Sequence, residues 1–402
     1  MSEVTKPILL DETGQLIKAE LTEQNKILRA IAGASVSQNM SLSAIHRIVQ
    51  EGSASEVFSI GDQITVQWTD KATNTEYDVP LDIVHFGDVE LQDGETVPAM
   101  FVQWHYCSPF GVQFDQREAL YVVPSGGMSA GTYYFNVPSA WGKISAGNWQ
   151  FTVDSDLSAG TQLVFDNAYV DVTTGLTNAT ISAYANPTST TKIGTYTITS
   201  GNSGTYLGQM KASGDTNLNG MQNANYGYNR WSQSALRQFL NSESGANAWW
   251  SAQNQYDRVP SEIAKHGFLT GFSDEFLTCI QPIKVVTAKN TVTDDGALET
   301  TYDKIFLPSL SQINVNPQLA GEGDIWEKWK RQSGSSTPLA QGDTYPQMRT
   351  FAIENHASAQ TVRLRSANRG NSYGTWYVGS SGYVSYGSST VSSRFAPACA
   401  IC

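Results

Sequence analysis

Charge and cysteine are both scarce in this chain of 402 residues: 15% of positions are charged, and four are cysteine, Cys107, Cys279, Cys399 and Cys402. Their spacing gives no disulfide framework for a protein of this size, so stability must come from buried apolar surface. Clusters of Lys and Arg are missing too, and 25 basic against 37 acidic residues leave a formal net charge of -12. That balance excludes nucleic acid as the main partner, because binding phosphates needs concentrated positive charge. The acidity supports solubility instead, and it is able to steer a basic partner. No apolar run reaches the length that spans a bilayer, so no membrane insertion is expected. The opening MSEVTKPILLDETG lacks the basic start, apolar stretch and cleavage site of a secretory signal, and synthesis and folding in a cytoplasm are expected.

Glycine and tyrosine are plentiful, 34 and 18 residues, and 40% of the chain is hydrophobic. This describes a folded, turn-rich protein dominated by strands. Near the N-terminus Ile17, Leu21, Gln24, Leu28 and Ile31 alternate spacings of four and three, and Gly33 follows as a cap. Two readings fit: a coiled-coil seam that oligomerises the chain, or a helix docked on its own domain. A second short helix places Leu42, Ile45 and Val49 on one side before Gly52.

From Val57 the period changes to two, in ITVQW, YDVPLDIVHFG, AMFVQWHY and ALYVV, split by turn signals. Beyond Pro124 come the short strand-like pieces GTYYFNV, WQFTV, QLVFD, AYVDV, ATISAYA and GTYTIT, a pattern expected of a β-sandwich or jelly roll. Helical patterns return after Gly204, with Ser232 and Asp324 as candidate N-caps, and the tail alternates strands with Gly-rich turns. The expected class is α+β, with a helical anchor at 1–52, a β-rich domain at 53–130, a β-sandwich-like insert at 131–203 and a ligand-binding domain at 204–402.

The later half resembles a bacterial and phage family of C-type-lectin-like domains, related in fold to formylglycine-generating enzymes. The resemblance rests on NRWSQSALRQFLN (229–241), TTYDKIFLPSLSQI (300–313), RLRSAN (363–368), TWYVGSSGYV (375–384) and RFAPACAI (394–401). Through KPILLDETGQLIKAELTEQNKILRAI (6–31) and DIVHFGDVELQDGETVPAMFVQWHYCSPFGVQFD (82–115), residues 1–125 are similar to structural proteins of tailed phages that infect gut bacteria. Together these imply a phage-encoded variable protein of a diversity-generating retroelement, whose terminal lectin segment is rewritten at adenines. Randomised AAC or AAT codons never yield Lys, Glu, Gln, Met or Trp. Between Ala367 and Ser393 the first four are absent and the single Trp is Trp376, which the family keeps as framework.

The residues of that segment suit a contact surface. Tyr373, Tyr377, Tyr383 and Tyr386 offer rigid amphipathic area, while Asn368, Asn371, Ser372, Thr375, Ser385 and Ser388 supply adaptable hydrogen bonds and Arg369 a charge. Arg363, Arg365, Trp376 and Arg394 are expected to be framework that pins its ends. As the outer face of a β-hairpin, the same tyrosines would leave Val378 and Val384 turned inward.

Catalytic and metal signals are weak. None of His46, His85, His105, His266 and His356 stands at ligand spacing. Cys399 and Cys402 form a terminal CxxC with no helix to follow it, so Cys399 is expected in a buried strand and Cys402 as an exposed thiol. Asp274, Glu275, Asp294, Asp295, Glu299 and Asp303 are able to supply oxygen to calcium but lack EF-hand spacing, and no cofactor is expected. The resemblance implies a non-enzymatic receptor-binding protein of the virion, trimeric, joined to other virion proteins through its N-terminal segment and gripping a bacterial surface protein or glycan. An oxidase like the formylglycine generators and a carbohydrate-binding adhesin encoded by the bacterium itself are the alternatives.

Overall fold

The computed structural model describes residues 40–140, 145–165, 180–185, 192–199, 201–210, 217–334 and 337–402. The spaced residues Ile17 to Ile31, their cap Gly33 and the AYVDV run lie outside them. Strand exceeds helix and most pairings are antiparallel, which makes the fold α+β.

Alternation in the sequence becomes alternation in space. In β1 (Gln63–Asp70) Ile64, Val66 and Trp68 are buried while Thr65 and Gln67 face solvent. A tight turn joins it to β2 (Thr75–Glu90): the Asp70 carboxylate accepts from Ala72 N at 3.0 Å, and Asn74 takes a left-handed φ of 56°. β3 (Thr96–Trp104) pairs with β2, and its other edge receives β19 (Ala398–Ile401), which is followed by β13 (Ile305–Phe306). The last strand is thus interior, with Cys399 opposite Val102 on one side and Ile305 on the other.

One apolar core runs through residues on both sides of this seam, from Ile45, Trp68 and Trp104 to Phe239, Phe268 and Phe395. The expected border between a domain at 53–130 and another at 204–402 therefore separates no two cores. Pairing between distant strands joins them, and composition along the chain carries no trace of it.

A second core lies under a seven-stranded sheet of β4 (Tyr121–Val122), β5 (Gly131–Val137), β6 (Gly147–Val153), β7 (Gln162–Phe165), β8 (Thr180–Ala185), β9 (Lys192–Thr199) and β10 (Thr205–Gln209). Their order is β10-β5-β6-β9-β8-β7-β4, so among the described residues the insert is one continuous sheet instead of the two facing sheets of a sandwich. Phe135, Trp149 and Phe151 fill its inner side with Leu120, Leu218 and Met221.

Three smaller sheets complete the C-terminal half: β11 (Ile283–Ala288) with β12 (Leu298–Asp303), β14 (Thr350–Phe351) with β15 (Ala359–Gln360), and β16 (Val362–Ala367) with β17 (Gly374–Val378) and β18 (Val384–Ser388). The helix Leu42–Gln50 starts on a Ser41 cap and buries Ile45 and Val49. The helix Ala235–Leu240 is capped by Ser234, whose hydroxyl accepts from Arg237 N at 3.1 Å. The expected cap Ser232 bonds the Glu299 carboxylate instead. Likewise Trp326, not Asp324, stands at the start of the helix Glu327–Ser333, where burial of Trp326 and Trp329 fixes the entry. Among the described residues no helix is long and apolar enough to cross a membrane.

Candidate functional site

β16, β17 and β18 carry the segment that the sequence singles out. Across β17 and β18 Trp376 stands opposite Tyr386, Tyr377 opposite Ser385 and Val378 opposite Val384. Opposed residues share a face and neighbours alternate, so Trp376, Val378, Val384 and Tyr386 lie on one face and Thr375, Tyr377, Ser385 and Gly387 on the other. The tyrosines do not form one surface. Trp376, Val378 and Val384 are buried in the main core together with Val362 and Leu364.

Several expected contact residues are interior. Asn368, Asn371, Ser372 and Thr375 are all buried. The Asn368 side-chain oxygen accepts from Gly370 N at 2.9 Å, and that of Asn371 accepts from Tyr373 N at 3.2 Å, so both amides build the loop that carries them. Ser372 N donates to the Gln222 side chain at 2.7 Å, and its hydroxyl meets the Asn223 side chain. Thr375 Oγ1 accepts from Arg363 at 2.6 Å. These four side chains are corrected from ligand contacts to supports, because buried polar groups need partners of their own. Arg369 is tied down as well, donating to Gly296 O at 2.7 Å and Gln318 O at 3.3 Å, and the Ser388 hydroxyl donates to Tyr226 O at 2.8 Å.

The loop 368–374 closes on Asn229, whose side-chain nitrogen lies 3.1, 2.9 and 2.9 Å from the carbonyls of Asn368, Asn371 and Gly374. Arg363 is buried and donates to the carbonyls of Thr375, Gly387, Ser388 and Val391 and to the Ser393 hydroxyl, tying β16 to β18 and the following loop. Burial pushes its guanidinium down to about 10, which still leaves it a cation at neutral pH. Arg365 donates to Leu307 O at 2.7 Å and to Val286 O at 3.2 Å. Arg394 pairs with Glu354 at 2.7 Å and donates to Ser108 O at 3.1 Å.

On this frame some side chains stand free of the core. Among the described residues the large apolar side chains with at least 40% exposure are Tyr206 at 51%, Leu298 at 41%, Tyr383 at 40%, Tyr386 at 43% and Val391 at 52%. Three of these five fall within 383–391. Tyr386 lies edge to face on Trp376, and the half-buried Tyr373 packs its ring, tilted by 36°, at 4.8 Å from that of Tyr226, a residue with no signal in the sequence pattern. Burial, then the neighbouring Tyr386 and Tyr226, raise the Tyr373 hydroxyl above its ordinary value. The turn before Tyr383 requires glycine at 382, where φ is 88° and a Cβ would stand 2.2 Å from Tyr345 O. On the opposite face a cavity of about 660 Å³ opens between Tyr377, Gly387, Val391, Arg363 and Arg394. Half-buried Tyr377 and Ser385 belong to that side.

The acids expected to offer oxygen to calcium are engaged elsewhere. Asp303 pairs with Arg237 at 2.6 Å and accepts from Trp231, Glu299 pairs with Arg230 at 2.8 Å, and Asp295 with Lys289 at 2.7 Å. Asp294 accepts from Asn290 and Tyr228, while Asp274 and Glu275 occupy the first turn of the helix Asp274–Thr278. A carboxylate cluster does exist, at Asp115, Glu118 and Asp257, and sequence spacing conceals it because Asp257 comes from a distant loop.

Among the described residues no group of three metal-binding side chains includes a histidine or cysteine. His105 Nδ1 contacts Asp82 at 2.9 Å, His46 Nε2 the Cys402 carbonyl at 2.7 Å, and His356 stacks on Tyr106. All four cysteines are buried, so Cys402 is corrected from an exposed thiol to an interior one, held where its N donates to Cys279 O. Burial pushes the Cys107 thiol up to about 11 and raises those of Cys279, Cys399 and Cys402.

No curated protein and no solved structure matches the chain. Residues 203–401, which hold the three-stranded sheet and its Asn229 and arginine supports, match the family described as a domain of unknown function, DUF6273.

Proposed function

We propose that this chain is a receptor-binding display protein of a phage virion, and that its contact surface is centred on Tyr383 and Tyr386 with Tyr226 and Tyr373 beside them. The observation that carries the reading is the gathering of exposed apolar side chains in 383–391 on a hairpin whose frame is held by buried Trp376 and Arg363. Exposed aromatic side chains on a rigid support are what a binding site needs, since they bury much area at little entropic cost. Tyr377, Ser385 and the 660 Å³ cavity on the other face extend the surface for a ligand that wraps the hairpin.

In this reading the C-type-lectin-like resemblance supplies the scaffold, and retroelement diversification acts on the exposed positions. A trimer held by the N-terminal segment would add avidity toward a bacterial surface protein or glycan. Buried, protonated thiols lend no support to an oxidase, because the thiolate is the reactive form. A bacterial adhesin shares the same surface and differs in gene context.

Flow cytometry of the labelled full chain on a panel of gut bacteria tests the reading. The double variant Tyr383→Ser/Tyr386→Ser should lose cell binding while melting as the parent does. Retained binding by the folded variant sinks the proposed surface. An adjacent reverse transcriptase gene and a near-copy of the final coding segment are expected, and in sibling copies Tyr383, Ser385 and Tyr386 should vary while Asn229, Asn371, Ser372 and Thr375 stay fixed. If neither gene feature exists, diversification is abandoned.

A further inference from the structure

Asp115 and Glu118 lie three residues apart in one loop, and Asp257 is brought to them by the loop after Asn254. One carboxylate oxygen from each falls within 4.8 Å of the others. The residues are 4%, 2% and 5% exposed, and among the described residues no Lys or Arg pairs with any of them. Buried carboxylates in such numbers repel one another and lack the water that would stabilise them, so they demand a compensating positive charge.

The surrounding hydrogen bonds leave that demand unmet. Glu118 accepts from the side chains of Asn219 at 2.5 Å and Asn254 at 3.0 Å, and Asp257 accepts from Asn254 at 2.7 Å and from backbone N of Gln253. These neutral donors orient the carboxylates without cancelling their charge. Asp115 Oδ1 accepts from Gln116 N at 3.0 Å, but Asp115 Oδ2 is buried with no hydrogen-bond partner. A buried oxygen left unpartnered costs free energy on the scale of a lost hydrogen bond, and here it sits on a member of the acidic cluster.

We infer that Asp115, Glu118 and Asp257 form a calcium site that fastens two loops beneath the tyrosine-bearing hairpin. Ca2+ takes oxygen ligands at about 2.3–2.6 Å, so ligands on opposite sides of the ion stand about 4.6–5.2 Å apart, and the cluster fits within that span. Mg2+ demands shorter, near-octahedral distances and holds its water tightly, which makes it the poorer partner for three buried carboxylates. Two positive charges against three carboxylates leave one negative charge, where the unfilled cluster would carry three.

The loops so fastened reach the proposed surface. Asp115 N donates to Ser389 O at 3.1 Å, Ala119 N to Tyr256 O at 2.7 Å, and Glu118 N to Asn223 O at 3.2 Å. Asn223 in turn meets the Ser372 hydroxyl. The cation site stands on its own geometry and does not depend on what the tyrosines bind.

The test uses the full chain, stripped with a chelator and dialysed into metal-free buffer at neutral pH. Calorimetric titration with CaCl2 should give one ion per chain, and saturating Ca2+ should raise Tm by about 5 °C or more, with a smaller response to MgCl2. Glu118→Gln and Asp115→Asn should each abolish most of the calcium response. Should either variant fail to fold, stoichiometry and Tm shift of the parent still decide the matter. The inference is overturned if the parent binds no Ca2+ and melts alike in calcium and chelator, or if a folded Asp115→Asn/Glu118→Gln chain keeps the parent's calcium response.

Discussion

Trp376 and Tyr386 face each other across β17 and β18 with ring centroids 5.5 Å apart, yet the first is 4% exposed and the second 43%. One ring closes the core and the other rests on it facing solvent. The same hairpin position thus offers a residue that the fold needs and a residue that it does not.

That difference is measurable as stability. Trp376→Ala removes a buried aromatic and should cost about 3–5 kcal/mol, read as a lower midpoint in denaturant. Tyr383→Ser with Tyr386→Ser should change the midpoint by under about 1 kcal/mol. A loss from the tyrosine pair as large as that from the tryptophan would place the tyrosines in the structural set.

Arg363 and Asn229 should behave as supports. Arg363→Met strands four carbonyls and two hydroxyls that the guanidinium now satisfies, and Asn229→Ala strands three carbonyls of the loop 368–374. Each is expected to cost about 3 kcal/mol or more, since unpartnered buried acceptors carry their full desolvation penalty. Hydrogen exchange should locate the added opening in the hairpin β17–β18 for both variants. Exchange unchanged there would show that other contacts hold the segment.

Acid stability turns on Asp82. Burial pushes its carboxyl up, but hydrogen bonds and charge from His105 and Lys328 together outweigh burial and hold it down to about 2, against an ordinary 3.8. A folded value below the unfolded one means that the unfolded chain binds the proton more readily as pH falls. The contribution, about 2 kcal/mol, is therefore complete above about pH 5 and lost progressively as pH drops through 3.8 to below 2. Asp82→Asn should flatten that part of the stability profile, and an unchanged acid slope would remove Asp82 as its source.

Thiol accessibility separates the binding and oxidase readings. At neutral pH a maleimide reagent should label none of the four cysteines in the folded chain and all four in denaturant. Rapid native labelling of Cys399 or Cys402 would return the terminal pair to consideration as a reactive centre.

Much of the local architecture was legible because it depends on neighbours in sequence. The period-two runs became β1, β2 and β3, GTYYFNV became β5 residue for residue, and the apolar positions Ile45 and Val49 marked the buried side of the helix Leu42–Gln50. The segment 368–389 was legible by its composition. Which of its residues face solvent was not, because Asn, Ser and Thr serve equally as flexible contacts on a surface and as turn builders inside a loop.

Sequence alone determined the strand periodicity, the acidic balance and the unusual content of the C-terminal segment, all of which are properties of residues or of short spacings. Tertiary structure decided the rest: that the final strand sits between β3 and β13, that Asn371, Ser372 and Thr375 point inward, and that Asp257 joins Asp115 and Glu118. Each of those outcomes depends on a partner more than a hundred residues away, or on which side of a pleat a residue falls once register is chosen. Long-range pairing and burial choose among side chains that local chemistry leaves equivalent.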